Sequence, residues 1–217
     1  MSTATATPKA APAPRRTRLI VALLAIGVVA AIALDTTVVE IGSEQDARQQ
    51  AFSPDAFGTE AFPRIQSFVE ENAVDAGTLG PAVMADKASA AEEYGVASST
   101  GAIMPVKLTG VIGEGKSGVY DVSVEGLPPE IRVRVQTGPA INGTDLRDAT
   151  GDIEFGHFKN QIEYQDAGSG INRAMKAAVL EPVDTDALPG KTVEIVGVFR
   201  LINPKNWLIT PVRIDVQ

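Results

Sequence analysis

The side chains best suited to chemistry are concentrated between Gly138 and Asn172. Hydroxyl, guanidinium, carboxylate and amide groups follow one another closely in this stretch, whereas the segments on both sides are mainly apolar. Planar guanidinium and carboxylate groups match paired hydroxyls, and amides supply both donors and acceptors. The pattern predicts a site for a polyhydroxylated ligand, formed by Thr144, Arg147, Asp148, Asn160, Gln161 and Asn172.

Arg147 and Asp148 also have a purely structural interpretation. Adjacent in a glycine-rich loop, the two side chains can bond each other and the local backbone, and so tie the loop to the domain without any ligand. The residues favour this loop anchor, and ligand contact stays open as the alternative. The two interpretations differ in what truncation of Arg147 would remove, which is stability in the first case and binding in the second.

A catalytic site has little support in the sequence. His157 is the only histidine, which excludes a multi-histidine metal site and leaves one candidate base for a Ser-His-Asp triad. No Gly-x-Ser-x-Gly sequence surrounds any serine, and Ser169 suits a helix cap better than a nucleophile. Asp152, Glu154 and Glu163 would have to supply the carboxylate pair of a glycoside hydrolase, but any acidic chain contains such pairs. We expect no catalytic residue, no metal site and no cofactor.

Composition and charge exclude several classes of protein. The 217 residues contain no cysteine, which excludes disulfides, thiolate catalysis, Cys-ligated metals and a lipid-modified cysteine. The whole chain has a formal charge of −8, and residues 1–34 hold four basic side chains and no acidic one, which leaves −12 on the remainder. Because an acidic domain repels phosphate backbones, no nucleic-acid partner is expected.

The N-terminal part is predicted to be a tail followed by a membrane anchor. Residues 1–14 are rich in Ala, Pro and Thr and should form a disordered cytoplasmic tail. Residues 15–35 join an arginine cluster to an apolar run, 19–34, which is typical of a signal anchor or transmembrane helix. This run would span about 24 Å as a helix, against about 30 Å of hydrocarbon, so a cleaved signal peptide stays the alternative. In both cases the positive-inside rule places residues 35–217 outside the cytoplasm, and an uncleaved helix makes the protein single-pass.

Residues 36–102 are predicted to form a stalk and a small helical subdomain. Residues 35–43 alternate enough for a short strand or an extended stalk. Ser53-Pro54 is a helix start, because serine caps well and proline fits the first turn. Pro63 is expected to stop or kink that helix, and Pro81 to open another.

Residues 103–217 carry the period-two alternation of β-strands. Their pattern predicts three strands, a polar insertion over residues 138–167, a helix and two more strands, with a bulge or an edge at Pro211. This is the order of an OB-type barrel, five strands with a helix between strands three and four, so the predicted fold class is α+β. An α+β sandwich with the same elements stays the alternative. The predicted strands start near Met104, Tyr120 and Ile131, the helix starts at Ser169 or Gly170 and ends before Pro182, and the last strands cover 191–202 and 206–216.

A set of positions in the second half of the chain matches one family's pattern in order and spacing. They are Gly138-Pro139, Gly143-Thr144, Arg147-Asp148, Phe155, Phe158 to Gln161, Tyr164, Asn172 and Thr210-Pro211. At these positions the sequence resembles the bacterial domain of unknown function 2291, the predicted periplasmic lipoproteins, and the resemblance covers most of residues 35–217.

The resemblance implies an extracytoplasmic, envelope-attached protein with a helical subdomain and an OB-like domain, frequently encoded beside sugar-uptake ABC transporters. It implies no known activity or ligand. Because the sequence lacks the cysteine of a lipoprotein, attachment to the membrane is expected through residues 19–34.

Together these features predict a non-catalytic, membrane-anchored accessory or binding protein whose C-terminal domain is extracytoplasmic. The resemblance adds an association with an ABC-type carbohydrate uptake system, with a sugar or sugar phosphate as ligand and a transporter component as partner. Two alternatives belong to other classes, a carboxylate-dependent enzyme acting on envelope glycans and a purely structural partner of a transporter.

Overall fold

A computed structural model describes residues Arg15–Asp35 and Phe52–Gln217, which fall into two separate compact units. The predicted tail over residues 1–14 lies outside the described residues, and so does the predicted strand or stalk beyond Asp35.

Residues Arg15–Asp35 form helix α1, as the sequence predicts. Large apolar side chains of this helix are exposed, among them Leu23, Leu24 and Ile26. Within the described ranges, no helix has the combined length and apolarity that a membrane span needs. The membrane anchor therefore stays a prediction.

Three helices open the second unit, and side-chain caps mark their starts. The Ser53 hydroxyl accepts a hydrogen bond at 3.3 Å from the amide three residues on, in its predicted capping role. Pro63 lies inside this helix and does not end it. The next helix begins before the predicted Pro81, because the Asp75 carboxylate accepts a bond at 2.8 Å from the amide two residues on and supplies the cap. The helices are α2 (Pro54–Asn72), α3 (Ala76–Ala85) and α4 (Lys87–Tyr94).

Six strands form one sheet among the described residues. They are β1 (Val74–Asp75), β2 (Ile103–Lys116), β3 (Val119–Val124), β4 (Arg132–Gln136), β5 (Thr192–Arg200) and β6 (Asn206–Val216). β2 pairs with both β3 and β5, β3 with β4, β4 with β6 in parallel, and β6 with β5. β2 to β6 therefore close into a five-stranded ring, and β1 adds a short parallel pairing to β2. The predicted barrel is present, and the sandwich alternative is wrong.

Two local features of the barrel follow from residue type. Ser117-Gly118 joins β2 to β3 with φ angles of 54° and 74°, which suits a two-residue hairpin turn. Pro211 lies where the register between β5 and β6 shifts, because proline has no amide hydrogen to continue the ladder. The bulge predicted at this proline is confirmed.

The helix after β4 starts earlier than predicted. Helix α6 spans Gln161–Met175. It begins there because the Asn160 side chain accepts bonds from the amides of Ile162 and Glu163 at 2.9 and 3.0 Å. The Glu163 carboxylate in turn accepts a bond from the Lys159 amide at 3.0 Å. Side chains therefore bond amides both inside the first turn and just before it.

Ser169, the predicted cap, therefore lies inside α6 and donates a hydrogen bond to the backbone of the preceding turn. The polar insertion predicted over 138–167 loses its last residues to this helix. The insertion contains helix α5 (Asp145–Asp148) and a 3₁₀ turn (Phe155–His157), and a π-helical turn (Lys176–Leu180) follows α6.

Helices α2 and α6 pack backbone to backbone. A Cβ atom added at Gly170 would overlap the Pro54 carbonyl, and one added at Gly58 would overlap the carbonyl of Gly170. Only glycine permits this approach. In the buried core, Trp207 stacks on Phe199 with ring centroids 4.5 Å apart. The helix pair places the start of α6 beside the polar insertion, where the candidate site lies.

Candidate functional site

A cavity of about 480 Å³ opens between the polar insertion and the start of α6. The segment after α4 forms one wall, α5 and residues 151–155 form another, and the first turns of α6 form the third. Its volume is in the range of small-molecule sites. Four of the predicted ligand residues line it, namely Thr144, Arg147, Asp148 and Gln161.

A buried ion-pair network centred on Arg200, at the end of β5, supports the cavity. Its guanidinium donates hydrogen bonds to the carboxylates of Asp145 and Asp148 at 3.0 and 2.8 Å. All three side chains are nearly buried, with 11%, 15% and 13% of their surface exposed. Arg200 thus joins the barrel to α5 and to the segment after α4. Its hydroxyl acceptors are Ser98, Thr100 and Thr144, at 2.6, 2.6 and 3.2 Å.

Arg147 is buried and its contacts are internal. Its Nε donates to the Asp148 carboxylate at 2.8 Å, and Nη1 donates to the Tyr164 carbonyl at 3.3 Å. The guanidinium carbon lies 3.6 Å from the centroid of the Tyr164 ring, which is cation–π contact. These are the contacts that the loop-anchor interpretation requires, and a ligand contact by Arg147 stays a prediction.

The two carboxylates that share Arg200 have opposite pKa shifts. For Asp148, burial acts to raise the pKa, but hydrogen bonds from Arg147, Arg200 and Thr144 outweigh burial and hold the pKa below its usual value. For Asp145, burial is the larger effect, and the attraction of Arg200 offsets it only in part, so the pKa is raised. Burial acts to lower the pKa of Arg200, but its two carboxylate partners outweigh burial and raise it.

Three predicted ligand residues carry side-chain amides, and they differ in what those amides contact. Gln161 lines the cavity with an exposed side chain. Asn160 is the cap of α6, and its side-chain oxygen is engaged by two backbone amides. Asn172 is buried, and its amide donates to two carbonyls of the insertion at 3.4 and 3.0 Å. Asn160 and Asn172 therefore order the walls, whereas Gln161 can reach a bound molecule.

Free polar groups and an exposed aromatic ring share the cavity. The Phe155 ring is half exposed and packs edge-on against Tyr164, with centroids 5.7 Å apart and an interplanar angle of 77°. Within the described residues, four lining side chains make no hydrogen bond to protein. They are Ser99, Glu154, Gln161 and Gln165.

The three acidic residues considered for glycan cleavage have separate environments. Asp152 pairs with Arg64 and Thr150, and the hydrogen bond from Thr150 is the main reason why its pKa is lowered. A general acid for glycoside cleavage needs a raised pKa. Glu163 is part of the cap of α6, and Glu154 lines the cavity. The geometry gives this alternative no support, and the described residues contain no group of three His, Asp or Glu side chains arranged for a metal ion.

Several residues of the site were missed at the level of sequence, among them Arg200, Ser99, Phe155 and Gln165. Arg200 follows an apolar strand, and its position after Val198-Phe199 was its only signal. Its partners lie 52 to 102 residues away, so no local pattern connects them. Phe155 and Gln165 lie inside the predicted polar stretch, and Phe155 matches the family pattern, but nothing in the sequence marks either as a ligand contact.

Comparisons with known proteins agree with this architecture. The family model described as "Predicted periplasmic lipoprotein (DUF2291)" matches residues 20–215. Among solved structures, the chain is similar to an OB-fold protein from Thermotoga maritima, with a TM-score of 0.62 and 18% identity over 77% of this chain and 100% of that chain. At this identity the likeness shows the fold alone. No curated protein matches the chain at a significant level.

Proposed function

The chain belongs to the DUF2291 family of predicted periplasmic lipoproteins, and on this premise we propose that it is a non-catalytic accessory protein that binds a small polar molecule. An extracytoplasmic location fits the family description. The cavity beside α6 is the proposed binding site.

The proposal rests on one observation. Some polar side chains of the cavity are bonded to protein groups, and others are free. Arg147 and Asp148 are engaged with each other and with neighbouring groups, which suits them to hold a shape and not to donate or accept protons. Gln161 and Gln165 are free to form hydrogen bonds with a bound ligand. A preformed wall with a few free polar groups is typical of a binding site.

We further propose that residues 19–34 attach the protein to the membrane. The family description names a lipoprotein, but these 217 residues contain no cysteine to carry a lipid. Helix α1 instead exposes apolar side chains such as Leu19, Leu23 and Val29, which water solvates poorly. This helix offers the attachment that a lipidated cysteine offers elsewhere.

The partner in this proposal is a component of an ABC-type sugar-uptake transporter, and its support is the family resemblance of the sequence. Deletion of the protein should then lower the rate of uptake of one sugar and leave the others unchanged. Equal uptake of every sugar tested would remove the transporter from the proposal and leave ligand binding in place.

Thermal unfolding of the full chain tests the binding function. The protein would be purified in a detergent without a sugar headgroup and screened against sugars, sugar phosphates, polyols and amino acids. A ligand at 100 times its Kd stabilises the folded state by about 2.7 kcal/mol. The double variant Gln161→Ala/Gln165→Ala should lose the shift, whereas Gln217→Ala, outside the cavity, should keep it. No shift with any compound would contradict the proposal.

A further inference from the structure

We propose that the cavity selects uncharged polyhydroxylated rings, the chemistry of free saccharides, and rejects their phosphate esters. This inference rests on the proposed function, because it names the ligand class of the same cavity. The charge of the lining, the type of its free polar groups and the exposed ring of Phe155 carry it independently.

The first step concerns charge. Arg147 is the cationic side chain among the lining residues; its guanidinium is paired with Asp148, bonded to the Tyr164 carbonyl and stacked on the Tyr164 ring, and its side chain is only 9% exposed. Behind it, Arg200 is balanced by Asp145 and by Asp148. The carboxylate of Glu154 is the lining charge without a partner in the described residues. A phosphate ester entering the cavity would meet this unpaired carboxylate, and the one lining guanidinium is already neutralised by Asp148.

The second step concerns hydrogen bonding. The side chains of Gln161 and Gln165 each offer a donor and an acceptor, and the Ser99 hydroxyl can act as either. A sugar hydroxyl also donates and accepts, so each pairing can be satisfied in both directions. An anion only accepts hydrogen bonds, so it would use the donors of these three side chains and leave their acceptors unpaired, and Glu154 offers it no donor. The free polar groups therefore match hydroxyls better than they match an anion.

The third step concerns the apolar part of the ligand. A saccharide ring has hydroxyls around its edge and C–H groups on its faces. Phe155 is 51% exposed, and Tyr164 supports its ring edge-on, so that the orientation is set before a ligand arrives. The ring can pack against C–H groups while the amides of α6 reach the hydroxyls. This combination separates a saccharide from a purely polar solute.

Binding measurements on the full chain would test the selection. D-glucose, D-galactose, D-xylose and D-ribose would each be compared with the corresponding monophosphate ester by calorimetric titration in sugar-free detergent. We expect at least one free sugar to bind about tenfold or more tightly than its ester, a difference of ~1.4 kcal/mol. A phosphate ester that binds as tightly as its parent sugar would overturn the selection and leave the binding function intact. Failure of every compound in the wider panel would overturn both.

Two variants test the residues named. Phe155→Ala should weaken binding of the free sugar by about tenfold, whereas Ile202→Ala, at an exposed apolar position outside the cavity, should not. Glu154→Gln should bring the affinity of the ester closer to that of the free sugar, while Glu125→Gln changes the net charge by the same amount and should leave the ratio unchanged. An unchanged ratio in Glu154→Gln would contradict the charge argument. All four positions are exposed or make no side-chain bond, so folding should be preserved.

Discussion

Arg200 is the side chain on which the site depends most. It donates to two carboxylates and three hydroxyls from two other parts of the chain, and its side chain is only 11% exposed. Ion pairs this buried are costly to break from one side, because the remaining charges keep their burial and lose their partner. The role of Arg200 is therefore to hold the walls of the cavity together.

Replacement of Arg200 should test this role. We expect Arg200→Ala to lower the free energy of unfolding by about 3 to 5 kcal/mol, since it leaves two buried carboxylates with less compensation. The matched control is Arg132→Ala. Arg132 also pairs with a carboxylate, Asp121, but its side chain is 64% exposed, and exposed pairs contribute about 0 to 1 kcal/mol. Urea unfolding midpoints measure both, and equal losses would contradict the network.

The two carboxylates bound to Arg200 should respond differently to pH. The folded-state pKa of Asp148 is lowered, so its ionised form stabilises the fold above the unfolded pKa and this contribution is lost as the pH falls through the folded value. The folded-state pKa of Asp145 is raised, so its contribution favours folding at low pH and is lost as the pH rises through the folded value.

Asparagine substitutions would separate the two effects. Near neutral pH, Asp148→Asn should destabilise the protein more than Asp145→Asn, because only Asp148 gains stability from its charge. The difference should shrink at about pH 3, where an ordinary Asp is mostly protonated. Urea midpoints of both variants at the two pH values measure this. A larger loss in Asp145→Asn at neutral pH would show that the assigned directions are wrong.

At the scale of elements, the strands were predicted well and the start of α6 was not. Apolar alternation is a local property, so the barrel strands and the bulge at Pro211 follow from residue type. Ser169, between two glycines, suits a helix cap, so the sequence places the start at Ser169 or Gly170. Asn160 supplies a cap eight residues before Gly168, and α6 then continues through both glycines, with Gly170 packed against α2. Tertiary contact overrides helix propensity here.

The contact between α2 and α6 can be tested at these same glycines. A methyl group at Gly170 would overlap the Pro54 carbonyl, so Gly170→Ala should separate the helices and cost about 3 kcal/mol. A methyl group at Gly168 would lie 3.5 Å from Thr144, which is ordinary contact. Gly168→Ala should therefore be neutral or stabilise the helix by up to about 1 kcal/mol. Thermal melts of the two variants measure the difference, and two equal losses would contradict the close packing.

At the scale of the whole molecule, the site combines segments that local patterns cannot bring together. The cavity takes one wall from the segment after α4, one from the insertion and one from α6, while Arg200 arrives from β5. The polar stretch contains most of the residues that line the cavity, and its residue types are unusual for a barrel. Arg200 could not be found from residue types, because its partners come close to it only after the barrel has closed.

The proposed membrane attachment concerns the full chain, and fractionation tests it. Cells expressing the full chain should retain it in the membrane fraction after a carbonate wash and release it into detergent. In the variant Leu24→Asp/Val28→Asp, two charges replace exposed apolar side chains of α1. Each charge near the centre of a spanning helix costs about 2.5 to 3.5 kcal/mol, so the variant should appear largely in the soluble fraction.

The control for this experiment carries the same kind of change outside α1. Ile202→Asp and Val111→Asp also place carboxylates at exposed apolar positions, and both variants should stay with the membrane. The intact mass of the wild-type protein completes the test. A mass that retains Arg15–Asp35, together with retention in the membrane fraction, agrees with an uncleaved anchor. A chain that begins near Leu34 or Asp35 would show cleavage by a signal peptidase, and attachment through residues 19–34 would then be wrong.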